Sequence, residues 1–575
     1  MQARHDVVIR GGTLADGTSG PCREADLAMD GGRIVAVGRV PGRGREEFDA
    51  RGKLVTPGFI DPHTHYDGQV TWENRLLPSS MHGVTTAVMG NCGVGFAPCR
   101  AGDHDELVRL MEGVEDIPEV VMAEGIPWNW ETYPEYLDAL SRRSFDVDIG
   151  SYIPHAPLRV YVMGQRACDL EPANADDCLA MAEIVRRGMR AGALGVGTSR
   201  TLVHRSRDGR CIPTLRASEQ ELMSLAGALR DSAAGVIQVV TDFAEPREVF
   251  DQLRRVARHA GRPLTFTLTQ KHYDPDLWRQ IALWVSQAND QGLRIAPQIL
   301  PRAVGMLYSH ELSLNPFYST PTYSRLAGLP LAQKIEALRQ PGVRAAILGE
   351  TVDPDPVNRL GLKVRWFDYM FELGDPPDYE PPPEQSVKAR AARLGVTPES
   401  LAYDLLLEKG GTNILYMTSV NYAHASLDDV RDMIIHPHTL PGLGDGGAHL
   451  GVICDASYPT FMLTQWGRDR RRGDRLPLPE LIETMTRRPA QLLGLGDRGR
   501  LAPGYRADIN IIDMAALTLH APELRWDLPA GGRRLVQRAT GYEATFVNGE
   551  VVYRDGEPTG ALPGRLVRGS RMAAA

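Results

Sequence analysis

One alternation governs the middle of the chain. Short runs rich in apolar and β-branched residues, Phe59–His63, Thr85–Met89, Val147–Ile153, Ala193–Thr198, Val236–Val240, Leu264–Leu268, Arg294–Ile299 and Thr439–Gly444, are separated by longer amphipathic stretches. Strand-length runs alternating with helical patterns are the mark of βα units and a parallel sheet. Eight such units predict an α/β chain with a (β/α)8 TIM-like barrel, in which functional residues gather at the C-terminal ends of the strands. With 575 residues the chain exceeds what one compact core usually holds, so a second, smaller domain is expected.

The two ends supply that domain. Residues 7 to 56 alternate apolar runs with Gly-Gly and Asp-Gly pairs, which is hairpin chemistry. The same texture returns at Ala507–Asp513 and Ala544–Tyr553. The expected organisation is a small β-sandwich built from residues 1–57 and 505–575, enclosing a barrel at 58–504. An insertion at about 308–410 contains the proline-dense run Gly374 to Pro383, which cannot be helix or central sheet and reads as a surface excursion. On a βα loop it would overhang the barrel mouth, either as a lid or as a plain surface subdomain.

The first strand leads into Gly58-Phe-Ile-Asp-Pro-His-Thr-His-Tyr-Asp-Gly68. Side chains alternate along a strand, so His63 and His65 share a face, and two imidazoles so placed can hold one divalent ion. Asp61 is close enough in sequence to accept from a ring nitrogen and set its tautomer.

This stretch resembles the signature of the amidohydrolase superfamily, and its continuation Leu77 to Pro98, with Gly90-Asn-Cys-Gly93, resembles the N-acyl-D-amino-acid deacylase branch. The resemblance covers nearly the whole chain. It implies a hydrolase that cleaves the amide bond of an N-acyl (D-)amino acid with metal-activated water, and it makes Cys92 a zinc ligand. Gly444-Asp-Gly-Gly-Ala-His449 resembles the stretch whose aspartate is the metal-bound general base, which assigns that role to Asp445. Lys271 matches a lysine beside the substrate carboxylate, and Ile153-Pro-His-Ala-Pro-Leu-Arg159 matches the run that makes His155 and Arg159 substrate-pocket residues. The chain departs where the branch has two further zinc-binding histidines, at the ends of strands five and six. Here those places read Gln238 to Asp242 and Phe266 to Lys271. The expected site is therefore a single ion held by His63, His65, Cys92 and Asp445, with Asp242 and His272 as weaker substitutes. Zinc suits the thiolate, and without Cys92 other divalent metals would serve as well.

Net charge near −8 with no long basic run argues against a nucleic-acid partner. No apolar stretch is long enough for a membrane span, and no signal-peptide core opens the chain, so a cytoplasmic protein is expected. Seven scattered cysteines do not suggest a disulfide framework. There is no Gly-X-Ser-X-Gly elbow and no dinucleotide fingerprint. The partner is then a small-molecule amide, with a homo-oligomer left open. Hydrolysis of a cyclic amide or an amide-containing natural product, or a catalytically inactive barrel, are the alternatives.

Overall fold

The computed structural model describes residues 4–351 and 364–569. Parallel pairing runs through the middle of the chain. Phe59–Asp61 pairs with Val84–Met89, which pairs with Asp148–Ser151. Ile153–Pro154 carries the path to Gly195–Arg200, then Val236–Thr241, then Leu264–Phe266. Bridges join Leu264 to Ile295 and Thr267 to Gln298, and Gln298–Ile299 pairs with Leu440–Pro441. A last isolated parallel bridge joins Thr64, beyond the end of Phe59–Asp61, to Gly446, beyond the end of Leu440–Pro441. Every residue of Val84–Met89 is buried, as expected of a parallel strand covered on both faces.

The helices between these strands are locally specified. Ala175–Ala191 starts at a capping box of Asn174 and Asp177, buries Cys178, Met181, Val185 and Met189, and stops at Gly192 with φ of 108°. Glu219–Ser232 starts on the Ser218 hydroxyl, and Pro246–Ala260 opens with proline in its first turn and closes at Gly261.

Arg4–Leu14 lies between Arg23–Asp30 and Arg43–Asp49, and its end pairs with Leu54–Pro57. Leu54–Pro57 pairs with Ile509–Ile512, which pairs in turn with Tyr542–Val547. Hydrogen bonding joins the two ends in one nine-stranded sheet, over a shared core that includes Ile9, Leu27, Ile34, Ile509, Ile511 and Phe546. The hairpin Thr518–Leu528 with Gly532–Thr540 stays outside that sheet and leans on the main body, where Leu535 N donates to Leu450 O at 2.7 Å. The tail also returns to the main body, through bridges from Gly564 to Phe145 and from Leu566 to Ile149.

The insertion begins earlier and ends later than its sequence suggests. Val304–Tyr308, Met370–Glu372 and Leu415–Val420 form an antiparallel sheet with a separate core that includes Met306, Tyr308, Phe317, Leu338 and Met417. Residues 352–363 lie outside the described residues. The proline-dense run is not the plain surface excursion expected. Tyr379 and Glu380 are buried; Glu380 accepts from the buried Arg470, and the Arg302 guanidinium lies 4.1 Å from the Tyr379 ring centre. Proline forbids a regular ladder but not docking, provided the side chains find polar partners. Among the described residues no helix is long and apolar enough to cross a membrane.

Candidate metal centre

His63 and His65 follow the strand Phe59–Asp61 and are almost completely buried. With Cys92 they offer ligand atoms that all lie within 4.8 Å of one another. Cys92 Sγ is 3.4 Å from His63 Nε2, and Asp445 Oδ1 is 3.5 Å from His63 Nε2 and 3.6 Å from His65 Nε2. That oxygen is buried with no hydrogen-bond partner. Two imidazoles, a thiolate-capable sulfur and an unpartnered carboxylate oxygen meeting in one place fit a divalent metal of tetrahedral preference.

The backbone is bent to make this meeting possible. Cys92, Leu443, Asp445 and His449 have φ between 47° and 59°, a region that non-glycine residues enter only at a cost of order 1–3 kcal/mol each. Gly90 is glycine because a Cβ there would lie 2.2 Å from Tyr152 O, with φ already at 82°. The turn carrying Cys92 is therefore pressed directly against the neighbouring strand.

Glutamines support the donors. The His63 Nδ1–H donates to Gln298 Oε1 at 2.6 Å, and because an amide oxygen only accepts, the His63 Nε2 lone pair is left facing the other donors. Asp61, expected to hold a ring, instead accepts from the His63 backbone N at 3.1 Å. Burial pushes its carboxyl up to about 8, partly offset by that backbone bond. Gln238, which stands where the branch has a histidine, accepts from Cys92 N at 3.0 Å and so supports the cysteine turn.

Burial holds His63 down to about 4 and pushes the Cys92 thiol up to about 12. His65 is also opposed by burial, but Glu115, Cys92 and Asp445 carry it well above the ordinary imidazole value. For Asp445 burial favours protonation, yet the adjacent His65 ring and the neighbouring imidazoles of His63 and His449 hold it far below the carboxylate range.

Two neighbours went unnoticed in the sequence. Glu115 Oε1 is 3.3 Å from His65 Nδ1, and Glu115 Oε2 is 3.6 Å from His449 Nε2. His449 Nε2 also stands 4.0 Å from Asp445 Oδ2. Glu115 had a signal, since it extends the apolar face Leu107, Met111, Val114 of the helix His104–Glu115. His449 had only its place four residues after Asp445 in a glycine-rich turn.

Of the expected pocket residues, Lys271 is half-buried on the turn after Leu264–Phe266, where its Nζ donates to Asp242 O at 2.5 Å and lies 5.5 Å from the Tyr273 ring centre. His155 and Arg159 are both buried and hydrogen-bonded to their surroundings. His155 is enclosed between Thr198 Oγ1 at 2.8 Å and Glu221 Oε1 at 3.0 Å. Arg159 donates to Glu221, Pro213 O and Glu171 O, with its guanidinium fully buried. The buried Glu221 of the helix Glu219–Ser232 pairs with both. Asp242 accepts from Thr201 and Leu202, and His272 packs against Trp366 and Tyr369, so neither joins the donor set. A cleft of about 530 Å³ between residues 376–380 and 461–472 shares no lining residue with the donors.

The model of the amidohydrolase family matches residues 46–553. The chain belongs to the amidohydrolase family. This amidohydrolase is 28% identical over 574 residues to an N-acyl-D-aspartate deacylase of Alcaligenes xylosoxydans xylosoxydans, covering 98% of this chain and 95% of that one. It is 27% identical to a D-aminoacylase of the same organism, covering 98% and 97%. Among solved structures, D-aminoacylase matches with a TM-score of 0.64 and 22% identity, over 98% of this chain and 100% of that one. The N-acyl-D-glutamate deacylase of Bordetella bronchiseptica, solved with zinc and a phosphonate inhibitor, matches with the same values. These structural likenesses speak to the fold.

Proposed function

We propose that the chain is a divalent-metal-dependent deacylase of N-acyl amino acids, with the D configuration favoured by its likeness to the deacylases above. The observation that carries this reading is the convergence of His63, His65 and Cys92 within 4.8 Å, with the unpartnered Asp445 Oδ1 beside both rings. The run of parallel pairings supports an eight-stranded barrel over residues 58–504, with the donors at the C-terminal strand ends. The shared sheet supports a β domain built from residues 1–57 and 505–575.

His63, His65, Cys92 and Asp445 are the residues that would hold one ion, and the sulfur favours zinc. A bound divalent ion supplies Lewis acidity, polarising a carbonyl and acidifying water. His63 acts as a neutral donor through Nε2, its Nδ1–H committed to Gln298. Asp445 takes the proton of the attacking water and returns it to the leaving nitrogen, so one carboxylate serves both halves of the hydrolysis. Lys271 offers an ammonium to the substrate carboxylate.

The test is a panel of N-acyl-D- and N-acyl-L-amino acids beside cyclic amides, with chiral detection of the product. Release of a free D-amino acid, lost on chelation and restored by zinc, is expected. Turnover of the cyclic amides alone would transfer the site to another substrate class, and no turnover of any amide by metal-loaded protein would reject the reading.

A further inference from the structure

Glu115 is a buried carboxylate to which the proposed reaction gives no part. It ends the helix His104–Glu115 and is 1% exposed. Among the described residues no lysine or arginine pairs with it, and its oxygens face only the rings of His65 and His449. Taking a carboxylate out of water without a strong cationic partner costs several kcal/mol. Its neighbours are nevertheless built to keep it there. His449 N donates to Glu115 O, and the next residue, Asp116, accepts from Gly451 N at 3.1 Å and from Ser313 Oγ at 3.3 Å. The helix end and the turn bearing Asp445 and His449 are thereby locked together.

We propose that Glu115 is a positioning residue of the metal centre. With Oε1 3.3 Å from His65 Nδ1, close but without a hydrogen bond in this structure, its charge favours the tautomer protonated at Nδ1, whose Nε2 lone pair faces Cys92, His63 and Asp445, while Oε2, 3.6 Å from His449 Nε2, draws that ring toward Asp445. On His63 the matching acceptor is the neutral amide oxygen of Gln298. The two rings are thus oriented by different means, one by an amide and one by a charge, and the charge also raises the basicity of the ring it holds.

This inference rests on the metal reading. A parent protein that binds no divalent ion would fail that reading, whereas parent-like binding in a Glu115 variant would fail only this one. Glu115→Gln keeps the volume and one acceptor oxygen; Glu115→Ala removes both acceptors. Zinc affinity is measured by competition with a chromogenic chelator, and the cobalt-loaded protein is examined for its thiolate charge-transfer band. Affinity should fall about 10–100-fold in Glu115→Ala and by a smaller factor in Glu115→Gln, with the band still present because Cys92 remains, and with the metal-free variants melting cooperatively. Parent affinity and an unchanged cobalt spectrum in both variants would overturn the proposal. Loss of cooperative melting in metal-free Glu115→Gln would also overturn it, because the carboxylate would then be holding the fold rather than His65.

Discussion

Replacing Asp445 by asparagine keeps the shape and one oxygen but removes the charge and the ability to take a proton. Oδ1 stands 3.5 Å from His63 Nε2 and 3.6 Å from His65 Nε2, while Oδ2 lies 4.0 Å from His449 Nε2. Burial works against ionisation, but the adjacent His65 ring and the other surrounding imidazoles outweigh it. These neighbours favour the charged carboxylate, the form that can accept a proton. A positioned base is worth about 10²–10⁴ in rate, or roughly 2.7–5.5 kcal/mol of activation free energy. His63, His65 and Cys92 remain in the variant, so its metal content should fall much less than its turnover. His63→Asn should instead lower the two together. The assay pairs metal stoichiometry with hydrolysis at saturating substrate on the same preparation. Full turnover by Asp445→Asn, on a substrate the parent cleaves, would refute the assigned base. Parallel loss of metal and activity would reduce Asp445 to a ligand.

Three further outcomes follow from particular contacts. Cys92→Ser should weaken zinc more than manganese, because it removes the soft donor; competition titrations with both metals check this, and equal losses would count against sulfur ligation. Arg302→Met should destabilise the fold by about 3–5 kcal/mol in urea unfolding, since it leaves the buried Asp455, now 2.6 Å from the guanidinium, without its cation. His82 is held neutral between Thr460 Oγ1 and Gln537 O, and burial lowers it to about 3. Between that value and the unfolded imidazole value near 6.5 the unfolded chain binds the extra proton. Acidification through this window should therefore cost up to about 1.4 kcal/mol per pH unit from this residue, and His82→Gln should flatten the stability profile from pH 6.5 to 5; an unchanged slope would contradict the assignment.

How much of this was legible in the sequence depended on how local the information was. The strand runs and the i, i+2 spacing of His63 and His65 could be read directly, because each is set by neighbouring residues. Cys92 and Asp445 stood out only through family resemblance, since a cysteine or an aspartate in a glycine-rich turn has no local periodicity. His155 and Arg159 matched a motif, but a glutamate some sixty residues away in sequence takes their hydrogen bonds. The supports Gln298, Gln238 and Glu115 come from three separate strands and helices, and only the closed fold brings them to His63, Cys92 and His65. The insertion was misjudged at Tyr379 and Glu380 because proline content reports on backbone regularity and not on burial.

The central claim is that this chain hydrolyses an N-acyl amino acid with a metal held by His63, His65, Cys92 and Asp445. The most direct measurement is hydrolysis of N-acyl-D-amino acids by purified protein before chelation, after chelation and after stepwise return of zinc. Activity should vanish on stripping and return in proportion to bound metal, with a maximum near one ion per chain. Undiminished hydrolysis by the stripped protein, or metal binding that survives loss of both His63 and His65, would contradict it.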